Sequence, residues 1–289
     1  MPSVKNQEAI RKTLETISTI PTLSIVIDKL ARLLQNPQTS AEEIGRAITM
    51  DQALASKVLK LVNSAFYGFP GKIGTITHAV VILGFSTVKN IVLTASIFDA
   101  FSNRKNSRSE FSMENFWMHS IACGAASQTI AKHIGFKEKE ECFIAGLIHD
   151  IGKIILCHYF PEEFEHVFQT ARQNGLLFYD TEKQTLGINH EEIGGIITQR
   201  GNLPKNLQKA VQNHHAPSAT QEFYTLSGIV HAADILVRAL DIGNGGDDKI
   251  PLMSEAVWKD LGLENLALQS VFGDVEDEYD KATIFMQLV

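Results

Sequence analysis

Two adjacent polar residues, His149 and Asp150, interrupt the apolar run "FIAGLIHDIGK" at residues 143–153, with Lys153 one helical turn beyond the histidine. A histidine beside a carboxylate is costly to bury unless something binds the pair. Further donors sit in similar surroundings: His119 in "FWMHS", His190 in "GINHEEIGG", His214 and His215 in "VQNHH", and Asp234 in "HAADIL". Imidazole nitrogens mixed with carboxylate oxygens suit a divalent metal of intermediate hardness, and facing helices of a bundle can each project such ligands inward. Helix neighbours point about 100° apart, so His149 and Asp150 cannot chelate one ion as an i, i+4 pair would. Side by side they could straddle two metal positions, with the Asp150 carboxylate as a bridge. Lys153, at i+4 from His149, shares that face and could meet an anion held at the metal.

Of the ten histidines, His78, His133, His158 and His166 are read as ordinary hydrogen-bonded or surface residues. For the others the bland reading would need a buried His-Asp pair, a His-His pair and further His and Asp residues to be independent accidents. The metal reading is therefore preferred.

Helices must position these donors, because apolar residues recur at three-four spacing and no segment shows sustained alternation flanked by hairpin turns. The expected fold is all-α. "LSIVIDKLARLL" reads as a helix after Pro21, and "NPQTSAEE" announces the next, with Ser40 and Glu43 as a capping box. Another runs from about Asp51, and two follow in "ITHAVVILG" and "STVKNIVLTASIFDAF", with Ser86 as N-cap after Gly84. This makes an N-terminal helical subdomain, residues 1–101. The polar, basic stretch "SNRKNSRS", residues 102–109, reads as a solvated linker, and residues 110–289 as a metal-site subdomain with closing helices at its C-terminus. Helices are expected there around 117–133, 138–157, 161–173, 190–200, 205–214 and 225–240. The Gly-rich "DIGNGGDDKIP" has no strand before it and no Lys-Ser/Thr after it, so it fails as a phosphate-binding loop.

At 289 residues the chain can bury a core without a metal staple, so a metal would be functional. Its formal net charge of -7 disfavours general nucleic-acid binding. No apolar run is expected to approach the ~18 residues that span a bilayer. The N-terminus lacks a signal-peptide apolar region, so a cytoplasmic location is expected and no membrane partner. Cys123, Cys142 and Cys157, without CxxC spacing, read as buried reduced thiols.

The order H, then HD, then D resembles the HD superfamily of metal-dependent phosphohydrolases. Upstream, "AITMDQALASKVLKLVNSAFYGFPGKIGTITHAVVILGFSTVKNIVL" is similar to the signature of the HDOD family, the HD-related output domain of bacterial signalling proteins, through "NSAFYG", the I-x-x-I-x-x-A segment and the following "LG". The resemblance covers about residues 20–240. It implies an HD-type helical bundle in which His119, His149, Asp150 and Asp234 hold one metal. Similarity to the HD-GYP relatives implies a second, held by Asp150 with His190, His214 and His215. Iron or manganese is implied for such a pair, with zinc as an alternative, and Lys153 would face the phosphate as Asp150 anchors the centre in catalysis.

The sequence departs from the HD-GYP pattern at two places, the first of which counts against turnover of cyclic-di-GMP by the HD-GYP route. "NHH" is followed by "APSATQEF" without a GYP signature, and Asn115 stands where a carboxylate for a third metal would be. The implied role is that of a regulatory signalling protein with a retained metal site, working through a protein partner or a small nucleotide-like ligand. The alternative is an active phosphohydrolase.

Overall fold

The computed structural model describes residues 7–16, 39–101, 110–246 and 248–288, the side chains of 99–101 excepted. The described residues form helices and no strand, as the periodicity requires. The helix at "LSIVIDKLARLL" and the linker at 102–109 lie outside the described residues.

Two compact units result, and they divide the chain differently from a cut at the linker. One takes residues 39–101 and returns for the 280–288 segment; the other takes residues 7–16 and 110–279.

In the first unit, α2 (Ala41–Thr49) opens on the capping box: Ser40 accepts from the Glu43 N–H while the Glu43 side chain accepts from the Ser40 backbone. Helix α3 (Gln52–Val62) starts at Asp51, which caps the Leu54 N–H at 3.0 Å. The Asn63 amide that follows donates to Ile73 O at 2.9 Å and accepts from Ile73 N at 2.8 Å, pinning the loop that carries "SAFYG". Helix α4 (Ile76–Leu83) is capped by Thr75. Helix α5 (Phe85–Phe101) begins at Phe85, so Ser86 lies inside its first turn and is not an N-cap. A closing 3-10 segment, Thr283–Leu288, inserts Phe285 against Phe66 and Phe98, at ring distances of 5.2 and 6.2 Å.

In the second unit, α1 (Gln7–Thr16) buries Ile10 and Leu14 and pairs Arg11 with Glu192. Its centre is α6 (Met113–His133) packed on α7 (Lys139–Ile148) and α13 (Tyr224–Ala239). Helices α8 (Ile151–Tyr159), α9 (Pro161–Asn174), α10 (Phe178–Leu186), α11 (His190–Arg200) and α12 (Lys205–Asn213) wrap this core. Helix α14 (Glu255–Asp260) and α15 (Leu268–Ala282) follow. His133 pairs with Asp274 at 2.7 Å, and His78 and His166 are exposed, in keeping with ordinary structural roles.

Three further expectations need correction. The helix anticipated over 138–157 is two helices, α7 and α8, broken at His149 and Asp150. At the break the backbone tightens, with Lys153 N bonding to Asp150 O three residues back at 2.9 Å. Helix α10 was not anticipated, because "FYDTEKQTL" carries too many polar residues to show an apolar stripe. Finally, Lys139–Tyr159 is, over 21 residues, long and apolar enough to cross a membrane; 89% of its most apolar window is buried inside the protein, as in a core helix.

Candidate metal centre

The glycines of "FIAGLIHDIGK" explain how the donors converge. A Cβ on Gly146 would overlap the Cys123 carbonyl of α6, and one on Gly152 would overlap the His190 carbonyl of α11. Only glycine lets α7 approach α6, and α8 approach α11, this closely. The break between Gly146 and Gly152 therefore delivers His149 toward α6 and α13, and Asp150 toward α11 and α12.

Two groups of donors result. His119, Cys123, His149 and Asp234 form one, and Asp150, His190, His214 and His215 the other, with the ligand atoms of each within 4.8 Å of one another. In the first, Asp234 Oδ1 lies 3.1 Å from His119 Nε2 and 3.8 Å from His149 Nε2. Asp150 Oδ2 approaches the same histidines at 4.0 and 3.3 Å. In the second, Asp150 Oδ1 lies 3.1 Å from His190 Nε2 and 3.7 Å from His214 Nε2, while His190 Nε2 is 3.4 Å from His214 Nε2 and 2.9 Å from His215 Nε2. Asp150 thus turns one oxygen to each group. Donors sharing one ion at about 2.1 Å stand roughly 3–4 Å apart, and the separations given above, 2.9 to 4.0 Å, match that spacing.

The tautomers fit as well. His149 Nδ1 pairs with Gly146 O at 2.7 Å, His214 Nδ1 with Val211 O at 2.9 Å, and His190 Nδ1 with Glu182 Oε2 at 2.5 Å. Each Nδ1 donates its proton outward, which turns Nε2 toward the centre and leaves it a lone pair whenever the ring is neutral. His149 Nε2 and Asp150 Oδ1 are buried without a hydrogen bond among the described residues, which in a folded core calls for a ligand. The residues present fit a pair of divalent cations.

The cation-free electrostatics show the same demand. Burial pushes the His214 imidazole down to about 3, so it is neutral and able to ligate. Burial also pulls on His190, but the Glu182 carboxylate, then Asp150, outweigh it and lift His190 to about 9. Burial would raise Asp150, yet His149, Lys153 and His190 hold its carboxyl well below the usual range. Burial likewise opposes Asp234, and Arg238, donating to Oδ1 at 2.8 Å, with His119 keeps it ionised.

Lys153, expected on the face of His149, instead donates to Asp150 Oδ2 at 2.7 Å and to Gly245 O at 2.9 Å. The break shortens the turn, so the lysine meets its i−3 neighbour. The Gly-rich loop packs on the centre: a Cβ on Gly245 would stand 3.2 Å from both Asp150 Oδ2 and His119 Nε2.

Several neighbours were not anticipated. Cys123 sits 3.6 and 4.0 Å from the two ring nitrogens of His119; such similar distances put its sulfur over the imidazole face, not along a lone pair. Burial raises its thiol far above the usual value, so it is protonated without a metal. Glu182 also accepts from the His190 backbone N–H at 3.0 Å, and Glu191 accepts from His215 N at 2.8 Å. Spacing could have flagged Glu182 only once α10 was recognised as a helix. His231 caps the arrangement, its Nδ1 pairing with His214 O at 2.8 Å.

Comparison with known proteins places this architecture. An HDOD domain protein with unknown function from Geobacter sulfurreducens superposes with a TM-score of 0.72 at 24% identity, covering 96% of this chain and 91% of that one. A candidate phosphohydrolase from Shewanella amazonensis SB2B superposes with a TM-score of 0.74 at 22% identity, covering 97% and 98%. At these identities the likeness shows the fold alone. A curated relative, an uncharacterized protein of Treponema pallidum (strain Nichols), is 26% identical over 239 residues. That is 82% of this chain but 45% of the relative, so the chain spans less than half of that protein's length. The family model described as the HDOD domain matches residues 20–217, more than half of the chain, and takes in both the Asn63-pinned loop and every donor of the centre except Asp234; the chain belongs to the HDOD family.

Proposed function

We propose that this protein is a regulatory HDOD signalling module that retains a dinuclear metal centre, with His119, His149, Asp234 and one Asp150 oxygen holding one ion, and the other Asp150 oxygen with His190, His214 and His215 holding the second. The observation that carries this reading is the division of Asp150: its two oxygens face two separate sets of outward-tautomerised histidines. The mixed imidazole and carboxylate donors favour iron or manganese, with zinc as the alternative. Signal reaches the module through a partner protein or a small nucleotide-like ligand.

A second reading, metal-dependent phosphohydrolysis, is supported by Lys153 and Arg238, which line a cavity together with His215. When bound, an ion pair of this kind supplies an activated water and charge stabilisation for phosphoester cleavage. The chain's own residues would hold the site in order: Glu182 fixes His190, Arg238 fixes Asp234, and Lys153 fixes Asp150.

Elemental analysis of the purified protein tests the first reading. About two equivalents of metal, lost on Asp150→Asn, are expected; a metal-free protein that cannot be loaded would refute it. If metal is present, a screen of nucleotides, cyclic dinucleotides and model phosphodiesters decides the second: turnover absent in Asp150→Asn supports hydrolysis, and no turnover in the wild type leaves regulation alone.

A further inference from the structure

Apart from the donor groups, the chain entering α6, the end of α9 and the Gly-rich loop enclose another cavity, of about 200 Å³. No donor of the metal centre is among the residues that line it. Phe111 and Phe168, both buried, give it an apolar wall, their rings 5.8 Å apart. The loop can close on this wall because Gly246, at φ 117°, takes a conformation that favours glycine, and a Cβ there would stand 3.2 Å from the Phe178 ring. The Gly-rich stretch, which lacks the signature of a phosphate-binding loop, thus still shapes a cavity.

The polar side of the cavity is braced by the chain itself. Asn244 is held three ways: its N–H donates to Asn115 O at 3.0 Å, its Oδ1 accepts from Gly246 N at 2.7 Å, and its Nδ2 donates to Asp248 Oδ1 at 2.9 Å. Asp248 Oδ2 and the Asn115 side-chain amide are left without a partner among the described residues. Arg172 Nη1 donates to Glu110 Oε2 at 2.5 Å, and the rest of its guanidinium fork has no partner among the described residues. Two carboxylates and one guanidinium therefore line one small cavity, and charge of each sign keeps unused hydrogen-bonding capacity. Groups already held in place lose little freedom on binding.

We propose that this cavity binds a small free α-amino acid in its zwitterionic form. The ligand carboxylate pairs with the open edge of Arg172, aided by the Ser112 hydroxyl and the positive end of the 21-residue α6. The ligand ammonium donates to Asp248 Oδ2 and the Asn115 amide oxygen, and a short apolar side chain rests against Phe111 and Phe168. Single charges fit less well. A lone carboxylate would meet the like charges of Glu110 and Asp248, and a lone amine would leave the Arg172 edge unused. At about 200 Å³ the cavity is smaller than the ~300–1,000 Å³ that enclose drug-sized ligands, which suits a compound of few heavy atoms. The assignment stands apart from the metal reading, since the two share no lining side chain with a donor.

The experiment is calorimetric titration of the full-length protein with L-alanine and L-valine, each beside the compounds that keep one of its charges: ethylamine and propionate, isobutylamine and isovalerate. Saturable binding of at least one of the two amino acids is expected, with its amine and its carboxylate each weaker by about ten- to a hundredfold, the worth of one hydrogen bond to a charged group. Arg172→Leu should bring the amino acid down to the affinity of its amine, and Asp248→Asn should weaken it by about tenfold or more. Both side chains are exposed, so neither change disturbs the core. An amine that binds as tightly as its amino acid would make this a cation site and overturn the zwitterion. Binding unchanged in both variants would overturn the assignment to this cavity, and no saturable binding of either amino acid would overturn the proposal outright.

Discussion

Glu182 Oε2 accepts both from His190 Nδ1 at 2.5 Å and from the His190 backbone N–H at 3.0 Å, fixing ring and main chain of one donor through one carboxylate. Such carboxylate-histidine pairs orient the ligand and raise its basicity, and their loss costs about 10–100-fold in metal affinity. Glu182→Gln should therefore weaken one of the two bound equivalents by about that factor and leave the other unchanged. Calorimetric titration with manganese reads both sites at once; equal weakening of the two would contradict the assignment of Glu182 to the His190 group alone.

Without metal, the raised His190 and lowered His214 give the protein a stability optimum in pH. His214, at about 3 in the fold against 6.5 unfolded, contributes stability that is complete above about 6.5 and lost as pH falls toward 3. His190, at about 9, contributes stability complete below about 6.5 and lost as pH rises toward 9. The melting temperature of chelator-treated protein should peak between pH 6 and 7. Metal loading at pH 7.5 should release a proton from His190, visible as a buffer-dependent binding enthalpy. A metal-free melting temperature that keeps climbing to pH 9 would count against a protonated His190.

Because Asp150 turns one oxygen to each group, Asp150→Asn should lose both ions of the proposed centre, whereas His119→Ala should lose only the ion of its own group. Elemental analysis of the two variants side by side checks this, and one equivalent retained by Asp150→Asn would show that the carboxylate does not bridge.

Cys123→Ala should keep both ions, since the sulfur lies over the His119 ring and not along its lone pair. Substitution with cobalt offers a direct view: a thiolate-to-cobalt charge-transfer band in the wild type that vanishes in Cys123→Ala would establish ligation and correct this placement.

Gly146→Ala and Gly152→Ala each push a methyl into the backbone of a neighbouring helix. Each should destabilise by about 1–3 kcal/mol, with a matching fall in metal content, because α7 and α8 are forced off the elements that complete the centre. Urea unfolding measures the first effect. A variant as stable as wild type would mean that the helices are free to move apart.

The donor residues were legible because histidines and aspartates stand out within apolar helices, and the helical class was legible because three-four spacing repeats along the chain. The break at His149 and Asp150 was not, since residues on both sides continue the same apolar run and periodicity does not report a tightened turn. Glu182 and Glu191 were missed because each lies in a polar stretch that reads as a solvated face; only the fold shows them buried behind His190 and His215. The Gly-rich loop reads in the sequence only as a loop without the signature of a phosphate-binding one. Its closeness to His119 depends on contacts between residues more than a hundred positions apart, which local patterning does not encode.

The break between α7 and α8 gives the centre a mechanical meaning. His149 caps the end of α7 and Asp150 the start of α8, so the joint between the helices is also the joint between the two donor groups. Were both groups filled, the ions would tie the two helices across this joint, and by reciprocity any load that moved one helix against the other would alter the grip on them. Under the proposed signalling role, ion occupancy and the angle at this joint would be coupled in both directions.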